Sequence, residues 1–125
     1  RSILEEIMQG LGFHYRIVNM CTGDIGTPNA KKYDLEAWLP GQNKYRELAS
    51  CSHDTDFQAR RLNIKYRDGK KKELVHTMNS TACAVGRTLI AIYENYQDSE
   101  GNIRIPEVLL PYMNGINIIS AKKDK

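Results

Sequence analysis

The sequence predicts an α+β domain, on three observations. Two stretches alternate apolar and polar residues around a tight turn signal, as an antiparallel hairpin does. Two others carry apolar residues at helical spacing. Between them lie short segments dense in Gly, Pro, Asn and Asp, too short for parallel crossovers, so helices should pack on an antiparallel sheet.

Ile3, Leu4, Ile7, Met8 and Leu11 predict a first amphipathic helix, ended by Gly10 and Gly12. Tyr15 to Met20 alternates and is rich in strand formers, and Thr22 to Asn29 reads as a loop. Tyr33, Leu35, Ala37 and Leu39 face one way on the next strand, with Asp34, Glu36 and Trp38 facing the other. Pro40-Gly41-Gln42-Asn43 is a turn signal, so Tyr33–Leu39 and Lys44–Ser50 form the hairpin. Phe57, Arg61, Ile64 and Lys65 sit on helical spacing, with Asp54, Thr55 or Asp56 as caps. Arg67 to Lys72 reads as a charged turn around Gly69, and Glu73 to Met78 as a strand. Ala84 to Gln97 reads as a helix burying Leu89, Ile92, Tyr93 and Tyr96. A proline-bounded segment, Ile105 to Met113, closes the domain (1–113). The tail (114–125) is expected to be disordered or added, with Ile116, Ile118 and Ile119 offering an edge strand as the alternative.

Composition narrows the function classes. In 125 residues, 26% are charged and the formal net charge is +3, a mild bias that suits a soluble enzyme or a weak polyanion binder. The first residues lack a secretory signal, and no run of about 18 apolar residues occurs, so no membrane partner is expected. Three cysteines, Cys21, Cys51 and Cys83, show no C-x-x-C pair. They point to reduced thiols and a cytoplasmic location, with an organellar matrix as the other option. Asn79-Ser80-Thr81 matches a glycosylation acceptor, but without a secretory signal the match carries no meaning.

Several residues could carry chemistry. On a regular strand Glu47 and Ser50 face opposite ways; a bulge at Ala49-Ser50 would bring them together, and bulges occur beside active sites. By pattern alone an ordinary solvated sheet face is the favoured reading. Arg60, Arg61, Lys65, Arg67, Lys70, Lys71 and Lys72 form the densest positive region, able to hold phosphates but more commonly a solvated surface. Cys51 near His53 lacks an orienting third group, and the histidines show no metal-ligand spacing. Arg87, near the start of a helix, is suited either to an anionic ligand or to a plain surface role.

Taken together, a set of motifs in order carries a family resemblance: Val18-Asn19-Met20-Cys21-Thr22-Gly23-Asp24, Lys32 to Glu36, Trp38 to Gln42, Tyr45 to Ser52 running into Asp56 to Arg61, His76 to Thr81, Ala84 to Leu89, Glu94 to Gln97 and Ile105 to Leu109. Over about Glu5 to Met113 the chain resembles seryl-tRNA synthetase, in the C-terminal part of its catalytic domain. The resemblance implies a class II synthetase-like antiparallel sheet flanked by helices, here incomplete. It implies activation of L-serine with ATP and Mg²⁺ to seryl-adenylate, transfer to tRNA(Ser), and a homodimeric parent.

By the same resemblance, Glu47 and Ser50 match the metal ligands, and Glu47, Leu48, Ala49, Ser50 and Arg87 the ATP contacts. Glu47 and Arg87 match the catalytic residues, and Asn79 and Thr81 the serine pocket. Ala49 stands where the family usually has serine, and Ser80 where glycine or asparagine is frequent. The family's coiled-coil arm, its motif 1 helix, its motif 2 segment and its upstream serine-binding acidic residues have no counterpart in these residues, and Arg1 is not preceded by methionine. The expectation is therefore a segment of a serine–tRNA ligase, inactive alone. The alternatives are a non-catalytic paralogue acting as a binding or regulatory module and, least favoured, a thiol hydrolase using Cys51.

Overall fold

A computed structural model describes residues 1–122. Helix α1 (Ser2–Gly10) leads into strands β1 (Tyr15–Asn19), β2 (Lys31–Leu39) and β3 (Lys44–Thr55). Helix α2 (Phe57–Leu62), a hairpin of β4 (Lys65–Asp68) and β5 (Lys71–Leu74), strand β6 (Thr77–Ser80) and helix α3 (Val85–Tyr96) follow. Strands β7 (Ile103–Arg104) and β8 (Ile118–Ile119) then flank a 3-10 segment over Glu107–Tyr112.

Strands β1, β2, β3 and β6 form one antiparallel sheet in that order, so the α+β expectation holds. Its core face carries Leu35, Ala37, Leu39, Leu48 and Ala49, packed with Leu4 and Met8 of α1, Ala91 and Ile92 of α3, and Leu11 and Phe13 between α1 and β1. Full burial of a side chain such as Leu35 or Leu48 is worth about 1.5–3 kcal/mol over leaving it in water. The opposite face keeps Asp34, Glu36 and Trp38, as the alternation of β2 predicts. Gly12 closes the link between α1 and β1. At φ +67° it sits where a Cβ would lie 2.6 Å from the Tyr96 hydroxyl, which donates to the Leu11 carbonyl at 2.7 Å.

The hairpin of β2 and β3 contains one irregularity that matters for function. Leu35 stands opposite Ala49, yet Glu36 stands opposite Glu47, so Leu48 is an extra residue on β3. The bulge lies one residue before the position the sequence suggested. Its side chain is fully buried, which anchors the kink to the core.

Four expectations need correction. The helix after Asp56 ends at Leu62, because Asn63 turns left-handed (φ 54°), and Lys65 already belongs to β4. Asp56 occupies its N-cap position without a side-chain cap bond, while Asp54 is fully buried inside β3. Glu73 to Met78 is two strands: β5 stays with β4 and β6 joins the far half of β3. Of the four expected inward residues of α3, Ile92 is buried and Tyr96 packs half-buried on the core, but Leu89 and Tyr93 are exposed and Thr88 and Ala91 are buried in their place. Its inward face is thus one position, about 100° of a 3.6-residue turn, away from the expected one. Asn95 fixes that rotation by donating to the Trp38 carbonyl at 3.1 Å.

In the tail, Ile118–Ile119 pair antiparallel with Ile103–Arg104, the edge-strand alternative, and Ala121 N–H donates to Asn102 Oδ1 at 3.1 Å. The end of its basic run, residues 123–125, lies outside the described residues. No described helix is long and apolar enough to cross a membrane.

Candidate active site

Strand β6 pairs only with Cys51–Thr55, which leaves the outer edge of β3 open from Lys44 to Ser50. Open edges present bare carbonyls, and here three groups from the β6–α3 segment cover them. Arg87 Nη1 donates to the Glu47 carbonyl at 2.5 Å, Ala84 N–H to the Leu48 carbonyl at 3.3 Å, and Ser80 Oγ to the Ser50 carbonyl at 2.7 Å. The start of α3 is thereby tied to the bulge.

Arg87 Nη1 also lies 3.3 Å from Glu47 Oε2, so guanidinium and carboxylate meet at the mouth of a cleft of about 380 Å³. Leu39, Gln42, Arg46 and Ile90 complete its lining. Both charged side chains stay partly exposed (53% and 34%), so the ion pair contributes only about 0–1 kcal/mol and is easily rearranged by a ligand.

The bulge has a second effect. Glu47 pairs with Glu36 and Ser50 with Asp34, and those two partners are two residues apart on β2. Glu47 and Ser50 therefore share the polar face of the sheet, the convergence a regular strand forbids. Leu48 and Ala49 turn their side chains into the core, at 0% and 2% exposure. Any contact they make with a ligand is confined to the backbone.

Further along the same face, Asn79 stands opposite Ser52 and donates to Asp54 Oδ2 at 2.9 Å. Thr81 follows β6 and is exposed. Ser50, Asn79 and Thr81 do not line the cleft; they continue from it along β3 and β6. Sequence reading missed Gln42 and Arg46. Arg46 Nε donates to Gln42 Oε1 at 2.8 Å, and Glu94 holds Gln42 Nε2 at 2.9 Å and the Gly41 N–H at 2.8 Å. Alternation put Arg46 on the wrong face to meet Glu47, but at an open edge both faces reach the same cleft. The role of Asp54 was also hidden, because only the β3–β6 pairing brings it beneath Asn79.

Asp34 sits at the centre of the polar face. Burial pushes its carboxyl above the ordinary value, the hydrogen bond from Lys32 pulls it back, and the charges of Glu47 and Glu36 push it up again. Oδ2 accepts from Lys32 Nζ at 3.3 Å; Oδ1 lies 3.1 Å from the same nitrogen without hydrogen-bond geometry. Below pH 3.8 Asp34 is protonated in folded and unfolded chains alike. As pH rises from there through the raised folded value, the unfolded chain releases its proton first, so stability falls across that window. Asp34→Asn should therefore leave Tm nearly unchanged at pH 3 and raise it relative to the native chain at pH 7. Thermal melts at the two pH values read this directly, and a difference that does not grow with pH would contradict it.

Other chemistry finds little support. Cys51 packs against the core, and its thiol makes no hydrogen bond among the described residues. His53 and His76 meet edge-on at 5.6 Å, but no described group of three His, Cys, Asp or Glu residues is placed to hold a metal ion.

An antiparallel sheet backed by helices is the class II synthetase-like arrangement that the resemblance implies. The family model for the tRNA synthetase class II core domain (G, H, P, S and T) matches residues 2–96, and the chain belongs to that family. Within it, the chain is 58% identical over 120 residues to the serine–tRNA ligase of Maridesulfovibrio salexigens, covering 94% of this chain and 28% of the relative. It is 61% identical over 110 residues to that of Desulfotalea psychrophila, covering 86% and 26%.

Among solved structures, seryl-tRNA synthetase from Pyrococcus horikoshii complexed with ATP superposes with a TM-score of 0.93 at 52% identity, over 98% of this chain and 28% of that one. Cytoplasmic serine–tRNA ligase from Naegleria fowleri in complex with AMP gives 0.88 at 50% identity, over 96% and 28%. The chain thus matches part of longer synthetases and spans little more than a quarter of their length.

Proposed function

We propose that this chain is the C-terminal catalytic segment of a serine–tRNA ligase and that the cleft between Glu47 and Arg87 takes the phosphates of ATP. The observation that carries the reading is the meeting of these two side chains at the open edge of β3. In the parent protein, the serine carboxylate attacks the α-phosphorus of ATP and pyrophosphate leaves; a hydroxyl of the terminal adenosine of tRNA(Ser) then attacks the seryl carbonyl of the adenylate, taking the seryl group as AMP leaves. The relatives are named for this ligase activity, and the ATP and AMP complexes of the two solved structures support the nucleotide.

Each residue has a derived part. Arg87 is held through Nη1 before any ligand arrives, which leaves the rest of its planar fork to meet phosphate oxygens without reorganisation. Glu47 and Ser50, placed on one face by the bulge, offer two hard oxygen donors. That set fits Mg²⁺, which commonly takes one or two protein ligands and completes its shell with phosphates and water. When bound, the ion would offset negative charge on the phosphates. Asn79, oriented by buried Asp54, and Thr81 would line the serine side, where a hydroxyl-bonding pocket rejects residues that cannot hydrogen-bond. On this reading, the remaining half of the site and the homodimer contacts fall to parts of the parent beyond this chain. The cytoplasm or an organellar matrix suits these substrates.

The test is a calorimetric titration of the 125-residue chain with ATP and Mg²⁺, run beside Glu47→Gln. Saturable binding weakened at least tenfold in the variant is expected, together with no serine-dependent ATP–pyrophosphate exchange by the chain alone. Equal binding by both proteins would remove the cleft from the reading, and exchange by the isolated chain would refute the division of the active site.

A further inference from the structure

The densest positive stretch of the sequence is not used by the cleft, and the fold divides it into engaged and unengaged cations. Arg60 pairs with Asp56 at 3.3 Å, and Arg61 lies 3.5 Å over the Phe57 ring while donating to the Phe57 carbonyl at 2.9 Å. The rest lie on or beside the hairpin of β4 and β5, which is exposed on nearly every residue and packs chiefly on itself.

Its register sorts the charges by face. Lys65 stands opposite Leu74 and Arg67 opposite Lys72, so one face holds three cations and no carboxylate. The other face is balanced: Tyr66 donates to Glu73 at 2.8 Å and Asp68 stands opposite Lys71. Like charges directly opposite each other destabilise a strand pair, and Arg67 against Lys72 is such a pair. Lys65, Arg67 and Lys72 have no ion-pair partner among the described residues, and with Asn63 and Tyr66 they border a groove of about 390 Å³.

We infer that this groove binds the phosphate backbone of RNA, with Lys65, Arg67 and Lys72 each neutralising one phosphate. Lys65 and Arg67 are two residues apart on one strand, about 6.6–6.8 Å by strand rise, a separation on the scale of successive phosphates along a nucleic-acid strand. An anion bridging Arg67 and Lys72 offsets the repulsion between them. Tyr66 is the one apolar ring in the groove's lining, and no aliphatic side chain lines it to enter a lipid bilayer, which sets RNA ahead of a membrane. The contact carries no base specificity, because phosphate contacts position a strand without reading it. The choice of RNA rests on the ligase reading; the cationic groove does not.

The experiment is fluorescence anisotropy of the 125-residue chain with labelled 20-nucleotide oligouridine and oligoadenosine between 25 and 200 mM salt. The variant Lys65→Ala/Arg67→Ala/Lys72→Ala is compared with a control of equal charge loss on other surfaces, Lys31→Ala/Lys44→Ala/Lys122→Ala. Each phosphate contact to a single strand contributes a slope of roughly −0.7 in log K against log salt, so losing three should flatten the slope by about 2. The control should change it far less, and both RNAs should behave alike. Thermal melts check that the hairpin variant folds, and Lys65→Arg/Lys72→Arg, which keeps the charge, should retain the native slope. Equal slopes in the native chain and the hairpin variant, equal losses in hairpin and control variants, or a loss seen only with phosphatidylserine vesicles would each overturn the inference. None of these outcomes touches the titration with ATP, so the two readings fail separately.

Discussion

Leu48→Ala should destabilise the chain by about 2–5 kcal/mol, the range for emptying a fully buried leucine site, and should disorder the active-site edge as well. Leu48 is the extra residue of the β3 bulge, and its side chain is the anchor that keeps the bulge seated in the core. Its carbonyl accepts from Ala84, and the neighbouring Glu47 carbonyl accepts from Arg87. Loosening the anchor therefore loosens the attachment of α3 and the shared facing of Glu47 and Ser50. Leu35→Ala is the matched control, because Leu35 is equally buried in the adjacent strand but lies beside the bulge without forming it. Urea denaturation should show losses of similar size for both variants. Native-state hydrogen exchange should then show faster exchange across Glu47–Ser50 for Leu48→Ala alone. Equal acceleration in both would mean that the bulge is held by the sheet and not by this side chain.

The hairpin of β2 and β3 was legible because a strand with one face buried must alternate, and the turn Pro40-Gly41-Gln42-Asn43 is unambiguous punctuation. The limits of β3 were not. A run such as Cys51 to Thr55 has no strong pattern of its own, and it becomes strand because the start of β2 pairs it on one side and β6, from two dozen residues away, on the other. The same distant pairing split Glu73 to Met78 into two strands. The rotation of α3 was misread because Leu89, Ile90 and Tyr93 form as apolar a stripe as the one actually buried. Those residues stand exposed, with Ile90 at the cleft, and local periodicity contains no information about which of two stripes meets a core.

Of the candidate site, the residue types came from motifs and the geometry from the fold. Glu47 and Arg87 are forty positions apart, and nothing local says that the arginine caps the carbonyl of the glutamate. The bulge was conceivable from sequence only as a condition for Glu47 and Ser50 to meet. Its position at Leu48 follows from core packing, which prefers two consecutive apolar side chains, Leu48 and Ala49, both inside. Gln42 and Arg46 were invisible for the reason the open edge exists: alternation assigns faces within a sheet and says nothing about its rim.

On the ligase reading, Arg87→Ala made in a full-length parent synthetase should lower serine-dependent ATP–pyrophosphate exchange by roughly 10²–10³, the usual cost of removing one preorganised donor from a charged transition state. The structural cost should be small. Arg87 is half exposed, its pairing with Glu47 is a surface ion pair, and water can replace it at the Glu47 carbonyl. Tm and exchange rate should therefore separate, with the rate collapsing while the melting point moves little. Arg87→Lys sharpens the test. An ammonium is a point charge that either caps the Glu47 carbonyl or meets a phosphate, whereas the guanidinium fork does both at once. The lysine variant should recover part of the loss in ATP KM and little of the loss in kcat, because charge is restored without orientation. If Arg87→Ala lowers Tm in proportion to its loss of exchange, the arginine is a fastener for the edge of β3, and phosphate recognition must be assigned to Arg46 on the other side of the cleft.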